Sequence, residues 1–146
     1  MDFGCGNLSF LKQAKKKLNI VHGVKIKKIV LDRYKENQNF IIRNDLDKFD
    51  YKFDLITMFH TLHYLPKQLD ILKKIKDKLK KNGKLYVEVP NANDLLFSLN
   101  EFKNFSLCKE SLIWHTKESL IFLLNKSGFN KIKCSHFQRF GLNNHL

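Results

Sequence analysis

Short apolar runs alternate with stretches of helical periodicity along this chain, and that alternation restricts its fold more than any other feature. Residues 1–3 read as the stub of a strand. Leu8, Phe10, Leu11, Ala14 and Leu18 then recur at helical spacing, with Lys12, Lys15, Lys16 and Lys17 between them, where the helix dipole favours cations near the C-terminal end. A buried strand is predicted over 19–26, a helix over 27–38 and a short strand over 40–42. Phe53–Phe59 is nearly all apolar, as expected of a strand covered on both faces. A helix over 67–80 places Leu69, Leu72, Ile75 and Leu79 on one side, and Asn82-Gly83 stops it with Gly83 as a left-handed cap. The next strand spans 84–89. Residues 92–112 read as loop with short helical pieces, Thr116 caps a helix over 117–127 that Gly128 ends, and 131–137 reads as a last strand. Such alternation predicts the α/β class: a doubly wound, mainly parallel sheet with helices on both faces.

At 146 residues the chain fits a single domain over 1–146, and its 13 Phe, 4 Tyr and 1 Trp can furnish a core, which excludes full disorder. Its apolar runs are a few residues long, so no membrane span is expected, and the first residues lack the basic-then-apolar pattern of a secretion signal. Cys5, Cys108 and Cys134 are too far apart for a zinc site or disulfide framework, which points to a reducing cytoplasm. The formal charge is +13, yet 24 of the 27 basic residues are Lys, and only Arg33, Arg43 and Arg139 are Arg. Readers of nucleic acid depend on Arg for bidentate contacts. The Lys residues are scattered, so the charge reads as composition, and no specific nucleic-acid partner is expected.

Chemistry concentrates at Asp2-Phe-Gly-Cys-Gly6, a strand-to-helix turn with two glycines one residue apart. Glycine lets backbone approach a ligand closely, and ligands of open α/β sheets bind at the carboxyl ends of the strands. The stretch Asp2-Phe-Gly-Cys-Gly-Asn7 resembles the first motif of class I S-adenosylmethionine-dependent methyltransferases. Further stretches resemble that family in its order: Val21-His-Gly-Val-Lys-Ile26, the strand and loop Phe53–Leu65, and Leu79-Lys-Lys-Asn-Gly-Lys-Leu-Tyr-Val-Glu-Val-Pro-Asn91. The closing segments, around 119–129 and 138–146, are similar to members that act on sugars and other small metabolites.

The resemblance implies a Rossmann-like fold and methyl transfer from S-adenosylmethionine to a small molecule, such as a sugar or polysaccharide precursor. It implies that Asp2, Gly4, Cys5 and Gly6 form the loop under the methionine half of the cofactor. Asp45, with Leu46, falls where the family sets an acidic side chain against the adenine amino group. Phe59 and His60 would line the methyl-transfer pocket. No general base is implied, because displacement at a sulfonium is driven largely by positioning and desolvation.

Several positions depart from the family pattern. Leu8 stands at the third glycine, where a side chain is expected to narrow the cofactor's approach. Lys25 stands where an Asp or Glu accepts from both ribose hydroxyls, and a charged lysine has only donors. Leu62-His63-Tyr64 replaces the common Leu-Glu-His. Both ends look cut: strands usually run about five residues, and here one methionine precedes Asp2. Weak cofactor binding is therefore expected. A second reading is a non-catalytic, degenerate or truncated homologue; a third, weaker one is a basic nucleic-acid-binding module.

Overall fold

The structure is a computed structural model that describes residues 1–25, 40–106 and 110–137. Among the described residues five strands form one sheet: β1 (Asp2–Phe3), β2 (Val21–Val24), β3 (Phe40–Arg43), β4 (Phe53–Phe59) and β5 (Leu79–Glu88). Their spatial order is β3-β2-β1-β4-β5, and every neighbouring pair is parallel. The helices are α1 (Ser9–Lys15), α2 (Gln68–Asp77), α3 (Asn100–Ser106) and α4 (Lys117–Lys126). The order reverses at β1, so the chain leaves this central strand through the glycine turn at the topological switch point, where open α/β sheets bind ligands.

Alternate residues of the strands divide between two cores. Val21 and Ile42 join Cys5, Leu8 and Leu11 beneath α1. Val24 and Ile41 face the larger cluster, where Phe3, Ile56 and Met58 meet Leu72 and Ile75 of α2 and Leu120 and Leu124 of α4. Helices therefore cover both faces, as the alternation of elements predicts. Gly23 lies on the α1 side, where a Cβ would come within 2.8 Å of Cys5 Sγ and 2.9 Å of both Ile42 and Leu11, so the packing there requires glycine. Toward β5 the α1-side face is open, leaving Leu55 47% and Tyr86 50% exposed.

Three elements differ from expectation. The helix expected over 67–80 ends at Asp77, and pairing with β4 begins already at Leu79. Register shifts between Phe53↔Leu79 and Leu55↔Lys84, so Asn82-Gly83 lies inside an irregular strand. Gly83 is no left-handed cap; a Cβ there would stand 2.8 Å from the Phe53 carbonyl oxygen, and close backbone approach is what requires glycine. Residues 131–137 form no strand. The helix expected over 27–38 falls outside the described residues.

Candidate functional site

The glycine turn is built on its neighbours. Gly4 and Cys5 both donate backbone N–H groups to the Val24 carbonyl, at 2.9 and 3.1 Å, which clamps the turn onto β2. Gly4 has φ +86, and a Cβ there would meet Thr61 side-chain atoms at 2.2–2.8 Å. Gly6 has φ +43, and the nearest atom to a Cβ there is 4.0 Å away, so its bare backbone faces open space. Asp2 is buried under the turn and accepts from Thr57 Oγ1 at 2.7 Å; burial pushes its carboxyl above the usual range, partly offset by that bond. Cys5 is buried, and desolvation raises its thiol to about 11, so it packs rather than reacts. Leu8 caps α1 with φ +66, a glycine-like conformation, but its side chain is only 3% exposed and joins the core beneath α1. The side chain that was expected to narrow the turn is thus folded under it.

Lys25 follows β2, is 6% exposed, and reaches back so that its Nζ donates to the Gly6 carbonyl at 2.8 Å. The ammonium therefore braces the turn itself. Asp45 follows β3 and accepts from the Asp47 N–H at 3.1 Å, capping the short turn Leu46–Lys48. Asp45 and Leu46 line a mainly apolar cavity of about 450 Å³, with Phe3, Val24, Leu65 and Pro66 among its other walls. The carboxyl ends of three strands thus converge on one hollow beside the glycine turn.

A second cavity, about 320 Å³, opens where β4 and β5 end. His60, His63 and Tyr64 line it from one side, Asn91, Asp94, Phe97 and Trp114 from the other. His60 has φ +46, and its Nε2 lies 2.6 Å from Glu88 Oε1, a close polar contact rather than an aligned hydrogen bond. His63 is buried; desolvation, then the nearby His60 and His115, push its pKa down to about 4. Its Nδ1 finds no hydrogen-bond partner among the described residues, while its carbonyl accepts from the Leu112 and Ile113 N–H groups. His115 is held by Gln68 Oε1 at 2.8 Å from its Nε2. Phe59 stacks with Phe10 and Tyr86, at centroid distances of 4.7 and 5.4 Å, and lines neither cavity. Glu88 is not among the residues that the sequence singles out. Its only signal is a carboxylate interrupting the apolar Leu85-Tyr-Val-Glu-Val89 run at the strand's end.

Thr61 joins the two regions, since it follows His60 in the chain and its side chain packs on Gly4. Among the described residues no cluster of His, Cys, Asp or Glu could hold a metal ion.

Comparison with known proteins agrees with this geometry. A family model described as a methyltransferase domain matches residues 1–134. A SAM-dependent methyltransferase from Archaeoglobus fulgidus is 25% identical, with a TM-score of 0.72 over 90% of this chain and 61% of that one. A SAM-dependent methyltransferase from Thermotoga maritima, described as a possible histamine N-methyltransferase, is 22% identical, with a TM-score of 0.67 over 89% and 62%. A complex of the Haloferax volcanii Trm112 methyltransferase activator with the putative methyltransferase matches at 14% identity and a TM-score of 0.69, over 87% and 59%. The chain spans about three fifths of the length of these structures. No curated protein matches it. The glycine turn at the switch point, the parallel strand order and the match along most of the sequence lead to one assignment: the chain belongs to the methyltransferase-domain family.

Proposed function

We propose that this chain transfers a methyl group from S-adenosylmethionine to a small polar molecule of the sugar type, in the cytoplasm and without a specific nucleic-acid partner. The observation that carries the reading is the Gly4–Gly6 turn at the switch point, with open space over Gly6 and with a mainly apolar cavity at the ends of the neighbouring strands β1, β2 and β3. The residues present fit the cofactor at its two ends. Asp2, Gly4, Cys5 and Gly6 would hold the methionine half, the open space over Gly6 leaving room for it. Asp45 and Leu46 would flank the adenine in the 450 Å³ cavity. When bound, the cofactor supplies an electrophilic methyl on a sulfonium. His60 belongs to the acceptor cavity, whereas Phe59 lies outside it, packed against Phe10 and Tyr86. The acceptor cavity pairs aromatic rings with Asn91, Asp94 and Ser111, a lining that suits a ring with one apolar face and several hydroxyls.

Lys25 limits this reading. Its ammonium cannot accept from ribose hydroxyls, and each hydrogen bond to a charged acceptor is worth about 1.5–3 kcal/mol. S-adenosylmethionine is therefore expected to bind weakly, and Lys25→Asp to tighten it by roughly tenfold or more in calorimetry. Low-micromolar affinity in the unaltered protein, left unchanged by Lys25→Asp, would remove Lys25 from the ribose position. The same lysine favours a second reading, a non-catalytic homologue whose turn is braced by its own side chain. Incubation with methyl-labelled S-adenosylmethionine and free or nucleotide-linked sugars separates the two, because only the enzyme moves label into the sugar.

A further inference from the structure

His60 and Glu88 form a pair that methyl transfer as described leaves unused. His60 is the first residue past β4, and its left-handed φ is a strained conformation that the surrounding contacts must hold. Its backbone N–H donates to the Glu88 carbonyl at 3.0 Å, and its ring reaches the Glu88 carboxylate at 2.6 Å. Main chain and ring are thus both tied to the tip of β5. The Glu88 side chain is 11% exposed and that of His60 40%, so the carboxylate is shielded while the ring opens on the 320 Å³ cavity. Nε2 is buried against Glu88. Although the contact is not an aligned hydrogen bond, the negative carboxylate 2.6 Å from Nε2 electrostatically favours the tautomer with its proton on Nε2 and leaves the lone pair on Nδ1.

We propose that His60 is the proton acceptor of this cavity, oriented by Glu88, and that the methylated atom of the acceptor is a hydroxyl oxygen. The inference rests on the methyl-transfer reading above. The acceptor oxygen forms its new bond to the methyl carbon as the carbon–sulfur bond breaks, the electron pair of that bond returning to sulfur. The hydroxyl proton passes to His60 Nδ1, Glu88 stabilises the resulting imidazolium, and the proton then leaves to solvent. Hydroxyls require such a base, whereas thiols and carboxylic acids lose their protons near or below neutrality unaided. The surroundings permit the extra charge. His63 and Tyr64 face the ring from the turn after β4, Glu88 from β5 and Asp94 from the segment beyond it, with His115 nearby. His63 and His115 are both pushed toward the neutral form by burial, so neither opposes a proton on His60.

Two measurements test this. Methyl transfer from labelled S-adenosylmethionine is followed with D-glucose, D-galactose and, for comparison, 2-mercaptoethanol, across the pH range, in the unaltered protein and in His60→Asn and Glu88→Gln. His60→Asn is expected to slow transfer to the sugars by about 10²–10⁴-fold and to abolish the fall in rate on the acid side, with Glu88→Gln in between. Nitrogen-15 NMR of the ring is expected to show Nε2 protonated and Nδ1 bare, with the two forms mixed in Glu88→Ala. Transfer to the thiol alone overturns the hydroxyl assignment. Sugar methylation that survives in His60→Asn with an unaltered pH profile overturns the base. A ring tautomer indifferent to Glu88→Ala overturns the orienting role of the carboxylate. Failure to methylate any probe overturns the methyl-transfer reading itself, and the base role falls with it, while the NMR result still decides whether Glu88 sets the tautomer.

Discussion

Gly4 and Gly6 look equivalent in the sequence, yet their surroundings require glycine for different reasons. At Gly4 a methyl group would run into Thr61, and φ +86 adds backbone strain. Overpacking and a left-handed conformation together cost about 2–5 kcal/mol, so Gly4→Ala is expected to lower the unfolding midpoint sharply. At Gly6 only the backbone strain applies, about 1–2 kcal/mol, because no protein atom blocks the added methyl. Gly6→Ala should therefore fold and lose cofactor binding. Chemical denaturation of both variants, with calorimetry against S-adenosylmethionine, checks the contrast; equal stability losses would mean that the two positions share one structural role. Leu8 shows where residue-level reading stops. Its identity announced a missing glycine, but its φ of +66 and its burial beneath α1 depend on the helix that follows and on Val21 and Ile42 from two strands.

Elements whose stability is local were legible, and those that depend on distant partners were less so. α4 begins after Thr116, whose hydroxyl accepts from the Ser119 N–H at 3.2 Å, and ends before Gly128 at φ +85, as its capping residues indicate. β4 is legible because its residues are nearly all apolar, although the cover expected on both faces is incomplete, since Asp54 and Leu55 are exposed. Residues 131–137 carry the period-2 alternation of a strand, and Ile132 and Cys134 are more buried than their lysine neighbours. No ladder partner lies beside them among the described residues, and a strand exists only with one. The site was legible to the same degree: the glycine turn is a local signal, whereas the His60–Glu88 pair joins positions brought together only by the sheet register. The turn Leu62–Tyr64 carries a further prediction. His63 is neutral in the folded state, with its pKa pushed down to about 4 against an ordinary 6.5. Between these values the unfolded chain binds the proton and the folded chain does not, so stability falls as pH drops through that window and levels off below it. His115, also lowered by burial, acts in the same direction. The loss should amount to about 2–3 kcal/mol, and His63→Phe should flatten it in urea titrations at a series of pH values. An unchanged acid slope in that variant would place the proton uptake on another group.

At the scale of the whole molecule, the net charge of +13 governs how the protein meets polyanions. The exposed lysines are spread over separate elements, among them Lys12 on α1, Lys73 and Lys74 on α2, Lys80 and Lys84 on β5, Lys103 on α3, Lys117 and Lys126 on α4. Two of them already face carboxylates at the surface, Lys74 with Asp47 at 2.6 Å and Lys80 with Asp54 at 2.9 Å. Of the three arginines only Arg43 lies among the described residues, at the end of β3. A surface of this kind can attract phosphates but has little with which to read base edges. Binding to RNA or DNA is therefore expected to be indifferent to sequence and to rest on counterion release, weakening by orders of magnitude between low and physiological salt. A methyltransferase acting on RNA would behave differently, because contacts to bases survive screening and preserve a preference for one sequence or structure. Gel-shift titrations at two salt concentrations, against random and structured RNA, distinguish these outcomes. Selective binding that persists at the higher salt would replace the proposed sugar reading of the 320 Å³ cavity with a pocket for a single exposed base, with its Phe97, Phe102 and Trp114 rings as the stacking surface.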